Sequence, residues 1–326
     1  MRIAGIDLLR GVAAFGIVGC HLSLAPRAAD GELVTALCDF NVGLFAAVAG
    51  FLMCGGKRGS WLEYVGKRAK RLLPTYFFWS VAFIVATSAF DLLLDGGHLN
   101  PKYGTVSFWG KVIFAGDAAT HLWFLVCLFY AQMALRPIFA CYDGKWHGLM
   151  LIGIGGLLVC GNVALSRSIS SFSWFGRYPL RLMAFLTTGY GIGCCFRSGM
   201  FDRILKYRWI VFGVAFLLLT GHVILYDCVP GFVKDWFLAG PVLLAFVVMD
   251  FKGERFMKVA TVFGATSMGV YLIHPLVTRG LSVVVTRLVQ PPYTAPIVLA
   301  EWLLAWAVSM AAAYVLGRMP IVRRFV

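Results

Sequence analysis

The stretch RGVAAFGIVGCH places an arginine, Arg10, and a histidine, His21, at the two ends of a run with no other charge. Asp7 lies three positions before Arg10, a spacing at which two helical side chains meet. At ~100° and ~1.5 Å per residue, the steps from Arg10 to His21 return to nearly the same helix face about 16 Å further along. An imidazole titrates near neutral pH and suits a base that takes a proton from a hydroxyl. A guanidinium stays charged and suits an anionic partner. Two further histidines sit in equally apolar surroundings: His121, which opens HLWFL beside Trp123, and His274 in SMGVYLIHPLV, with Tyr271 three positions before it. A basic group, KRAKR at 67–71, puts Arg68 and Arg71 on one helix face, with Tyr76 just beyond. These residues point to proton transfer at one level of an apolar core and phosphate binding at another.

The elements that must carry them are membrane helices. The chain has 326 residues, 60% of them hydrophobic and 13% charged, with a mean hydropathy of +0.82. Apolar runs long enough to cross ~30 Å of hydrocarbon recur along it. The expected fold is an all-α polytopic integral membrane protein of about ten transmembrane helices. They fall near 5–25, 40–56, 72–93, 121–141, 148–165, 180–196, 209–226, 235–250, 261–281 and 296–316. The first run is too long and uninterrupted for a cleaved signal peptide. No repeat or long hydrophilic stretch interrupts the pattern, so one transmembrane domain, 1–326, is expected, with no soluble domain.

With the N-terminus cytoplasmic, about two-thirds of the 29 Lys and Arg residues fall on the cytoplasmic side. Much of the net charge of +14 is thereby a topological signal. The basic residues are dispersed over short loops, which argues against a nucleic-acid partner. Both termini are expected in the cytoplasm, and His21, His121 and His274 then share the outer half of the bilayer.

Other residues have plainer readings. The nine cysteines show no zinc-like spacing and read as small buried residues. Cys38 and Cys228 both map to the outer side, which leaves a disulfide between them open. No metal site is expected, because no carboxylate accompanies the histidines. His222 reads as structural, and Glu301 as an ion partner of Arg279 or Arg287. Trp123 fits an interfacial belt and equally a stacking surface for a sugar.

Five stretches resemble, in order, the acyltransferase-3 family of membrane O-acyltransferases. IDLLRGVAAFGIVGCH matches its Asp-x-x-Arg-Gly opening and its arginine and histidine separated by ten residues, through Asp7, Arg10, Gly11 and His21. NVGLFAAVAGFLM resembles the second span through Val42, Leu44, Phe45, Gly50 and Phe51, with Ala46 and Ala49 where phenylalanine and serine are usual. KRAKRLLPTYFF matches through Arg68, Arg71, Pro74 and Tyr76, and HLWFL and SMGVYLIHPLV complete the series.

The resemblance implies an enzyme that moves an acyl group, commonly acetyl, from cytoplasmic acyl-CoA (acetyl-CoA) to a hydroxyl of a cell-envelope glycan or glycolipid at the outer face of the inner membrane. In that reading His21 is the base, with Arg10 and Asp7 in its catalytic group. Arg68, Arg71 and Tyr76 hold the donor, and His121, Trp123, Tyr271 and His274 face the acceptor. The rival reading is a polytopic transporter or permease of a small polar solute. It is disfavoured by the lack of similarity between the two halves of the chain.

Overall fold

The computed structural model describes residues 3–22, 31–55, 59–94, 101–116, 118–119, 121–141, 144–168, 174–224, 231–249, 253–289 and 293–325. It is all-helical. Among the described residues there are ten helices of 14 residues or more: α1 (Ala4–Gly19), α3 (Phe40–Met53), α4 (Trp61–Leu94), α6 (Trp123–Cys141), α7 (Lys145–Ser168), α8 (Trp174–Arg197), α9 (Arg208–Ile224), α10 (Gly231–Val248), α11 (Glu254–Leu288) and α12 (Ala295–Leu316). Two short helices, α2 (Gly31–Cys38) and α5 (Val106–Ala115), lie between them in the chain.

Among the described residues, six helical stretches are long and apolar enough to cross a membrane, so the expected number of about ten is not reached on that measure. α1, at 16 residues, is too short to satisfy it. α4 and α11, at 34 and 35 residues, are much longer than a bilayer requires. The third span therefore begins earlier than expected, and KRAKR lies inside α4 rather than at its entry.

α1 lies along α11, α8 sits between α3 and α7, and α10 packs on both α3 and α9. Lipid tails are as apolar as leucine, so burial alone cannot drive such contacts; small residues that let backbones approach can. Gly189 of α8 lies so near α3 that an added Cβ would fall 1.8 Å from the Ala47 carbonyl oxygen. Gly50 stands likewise against the Leu186 carbonyl, at 2.1 Å. On the other seam, Gly264 of α11 leaves room for the Asp7 carboxylate of α1. By contrast, α9 exposes Ile210, Phe216, Leu217 and Ile224, a lipid-type surface on the periphery.

One sequence expectation meets a different arrangement, and one falls outside the described residues. Arg279, one of the two expected partners of Glu301, pairs with Asp91 of α4 at 3.0 Å. Cys228, the candidate partner of Cys38, lies outside the described residues. His222 is structural as read: its Nε2 and the Ala36 carbonyl are 2.9 Å apart, tying α9 to α2.

Candidate active site

α1 stops before it reaches His21. Its regular ladder ends at Gly19, and the next bonds tighten, with His21 N–H donating to the Val18 carbonyl at 3.1 Å and Leu22 N–H to Gly19 at 3.4 Å. The straight helix expected over 5–25 is thus cut short. The indole N–H of Trp302 from α12 donates to the Phe15 carbonyl at 2.8 Å, and its ring stacks on Phe15 at 4.5 Å between centroids. His21 is carried on a terminal turn and is half-buried, whereas a continued helix would have held it on Arg10's face.

α11 brings His274 to it, with ring centroids 5.0 Å apart. The sequence explains the orientation of His274. Pro275 has no N–H, so the Tyr271 carbonyl four residues earlier has no helical donor. His274 Nδ1 supplies one at 2.8 Å. A carbonyl only accepts, so the proton sits on Nδ1 and the lone pair on Nε2. That Nε2 is buried and meets no hydrogen-bond partner among the described residues.

His121, in the turn before α6, completes the cluster 5.5 Å from His274. Phe83 of α4 closes one side of it at 4.7 Å. Tyr271 donates its hydroxyl to the His121 carbonyl and is thereby committed to holding that turn. Its ring packs against Phe45 and Phe124. Trp123 sits against Tyr178 at 4.4 Å and stays partly exposed. The structure therefore brings His21, His121 and His274 together at one end of the bundle, with Tyr271 as their support. No group of three or more His, Cys, Asp or Glu among the described residues is arranged to hold a metal ion.

Arg10 pairs with Asp7 at 3.6 Å on α1 and lies about 14 Å along the helix from its histidine end. The basic stretch of α4 resolves into unequal parts. Arg68 lies over the Tyr64 ring at 5.2 Å, while Arg71 points to the surface. Tyr76 is buried and donates its hydroxyl to the Val112 carbonyl of α5.

The second cation at this end is one that sequence reasoning missed. Arg136 of α6 is buried and stands over the same Tyr64 ring at 5.0 Å. The Tyr64 hydroxyl reaches Gln132, one turn before Arg136, at 3.5 Å, and Trp61 Nε1 donates to the Met133 carbonyl at 3.1 Å. These contacts dock the start of α4 on α6. In the sequence Arg136 looks like any basic residue at a span end. Only its position over the Tyr64 ring, shared with Arg68, marks it.

The fold and site define a class: an all-helical membrane protein with a histidine cluster at one end and two arginines over one tyrosine ring toward the other. The chain belongs to the acyltransferase-3 family, whose model, described as an acyltransferase domain, matches residues 3–318. No curated protein and no solved structure matches it.

Proposed function

We propose that the protein is a membrane O-acyltransferase. It takes an acyl group, acetyl in the simplest case, from cytoplasmic acyl-CoA and transfers it to a hydroxyl of a cell-envelope glycan or glycolipid at the outer face of the inner membrane. The observation that carries this reading is the His21–His274 pair. One imidazole is accessible, and the other is fully buried with its lone pair directed away from the Tyr271 carbonyl.

In this mechanism His21 accepts the proton of the acceptor hydroxyl as that oxygen attacks the thioester carbonyl. The tetrahedral intermediate collapses, the carbon–sulfur bond breaks, and the proton passes from His21 to the departing thiolate. The products are the ester and free CoA. Protonated His21 gains a hydrogen-bond acceptor in His274 Nε2, which orients the ring and stabilises its charged form. No acyl-enzyme is required, because the hydroxyl attacks the thioester directly.

Arg68 and Arg136 bind the anionic end of the donor, where two guanidiniums over one aromatic ring suit a pyrophosphate or phosphate. The pantetheine arm, roughly half a bilayer long, then carries the thioester toward His21 past Arg10. The test is release of free CoA thiol from acyl-CoA by the purified protein in nanodiscs. It is combined with mass spectrometry of envelope glycans from a deletion strain. An acyl group missing from one glycan supports the reading. A protein that neither binds nor turns over acyl-CoA refutes it.

A further inference from the structure

At the end of the bundle opposite the histidines, α3 and α8 each present a thiol to the other. The Sγ atoms of Cys54, just past α3, and Cys194, near the end of α8, share a hydrogen bond at 3.4 Å. The backbones meet there as well: a Cβ on Gly193 would fall 2.8 Å from the Cys54 Cβ. Cys195, next in sequence, turns the other way, with its thiol 3.6 Å from the Lys145 carbonyl of α7. Arg197 folds back onto α3, its guanidinium so close to Gly55 that an added Cβ would lie 1.9 Å from Nη2. Cys54 is half-buried, so a small reagent has access to it, while Cys194 is buried behind it. The hydrogen bond from Cys194 and then the Arg197 charge, opposed by burial, hold the Cys54 thiol below its ordinary range. A partly exposed thiol beside a cation is the setting of reactive cysteines, and a buried thiol in contact with it is the setting of a resolving one.

From this juxtaposition we infer that Cys54 and Cys194 form a reversible dithiol–disulfide couple that staples α3 to α8 under oxidising conditions. The co-reactant is a low-molecular-weight disulfide of the glutathione class. The Cys54 thiolate attacks one of its sulfurs and expels a thiolate, leaving a mixed disulfide on Cys54. Cys194 then loses its proton and attacks the Cys54 sulfur, expelling the second thiolate. Two electrons and two protons pass from the protein to the small disulfide, which leaves as two thiols. The sulfurs need only close from 3.4 Å to ~2.05 Å.

The experiment treats the purified full-length protein with glutathione disulfide, digests it without reduction and maps the linked peptides by mass spectrometry. The expected product joins Cys54 to Cys194 and disappears with dithiothreitol. Cys194→Ser should accumulate glutathione on Cys54, Cys195→Ser should still form the link, and Arg197→Gln should slow it severalfold. The wild-type map needs no variant. A link through Cys195, or no link in protein whose melting curve is that of the untreated sample, overturns the inference. So does a Cys194→Ser protein, folded by its melting curve, that fails to take up glutathione at Cys54.

Discussion

His21 and His274 are both histidines in apolar surroundings, yet the chain treats them differently. His21 sits on a turn that reaches the surface, and His274 is fixed by a carbonyl that Pro275 leaves open. If His21 is the base, His21→Ala should lower acyl transfer by the ~100-fold or more that loss of a general base costs. Expression, melting temperature and acyl-CoA binding should stay near wild type. Steady-state transfer assays beside a melting curve separate those outcomes, and near-normal turnover would remove His21 from the chemistry. At the donor end the arginines should differ. Arg136→Ala and Arg68→Ala should raise the KM for acyl-CoA about tenfold or more with a smaller change in kcat, since each removes a charged phosphate contact. Arg71→Ala, at an exposed position, should change KM little. Equal effects at all three positions would reduce the pair to a diffuse basic patch.

Within single helices, the informative features are an interruption and a close approach. Pro275→Ala restores an N–H at the position where the Tyr271 carbonyl wants one. His274 Nδ1 then has a competitor, and the histidine loses the bond that sets its tautomer. The variant should melt at or above the wild-type temperature, because a helix-interior proline is removed. Its kcat should nonetheless fall about tenfold or more, as expected of an imidazole beside His21 whose tautomer is no longer fixed. Unchanged kcat in a folded variant would show that the carbonyl plays no part in positioning the ring. Gly189→Ala tests the opposite property. The new methyl would meet the Ala47 backbone oxygen, which cannot rotate away, so α3 and α8 must separate. Overpacking of this kind costs ~1–3 kcal/mol, visible as a lower melting temperature in detergent. Gly153→Ala on α7, where nothing lies within 4 Å of the added carbon, is the matched control and should melt like wild type.

Across the whole molecule, the two clusters lie at opposite ends of the same bundle, which is what a transfer across a membrane needs. α1 runs from the arginine end to the histidine end, and α11 runs beside it. On the orientation proposed from the charge bias, the arginine end faces the cytoplasm. Single cysteines introduced at Lys145 and at Ala118, in an otherwise cysteine-free protein, should therefore react with an impermeant maleimide from opposite sides of intact cells. Ala118 should label from outside and Lys145 only after permeabilisation. Labelling of both from one side would refute the alternating topology, and reversed labelling would place the histidine cluster in the cytoplasm.

Composition and hydropathy determined the all-helical membrane class, and the spacing of Asp7, Arg10 and His21, with the four later motifs, determined the family. Those signals are local: a hydrophobic run, a proline, or residues at fixed steps within one element. The convergence of His21, His121 and His274 was legible as a shared depth, because depth follows from position within a span. Which side chains touch at that depth was not legible. Helix rotation and tilt are set by small-residue contacts such as Gly189 on Ala47, and these join residues far apart in the chain. Only the tertiary structure ended α1 at Gly19, turned Tyr76 onto α5, gave Arg279 to Asp91 and put Arg136 over the same Tyr64 ring as Arg68. Each of these depends on a partner from another helix, and a single sequence carries no record of which helix that will be.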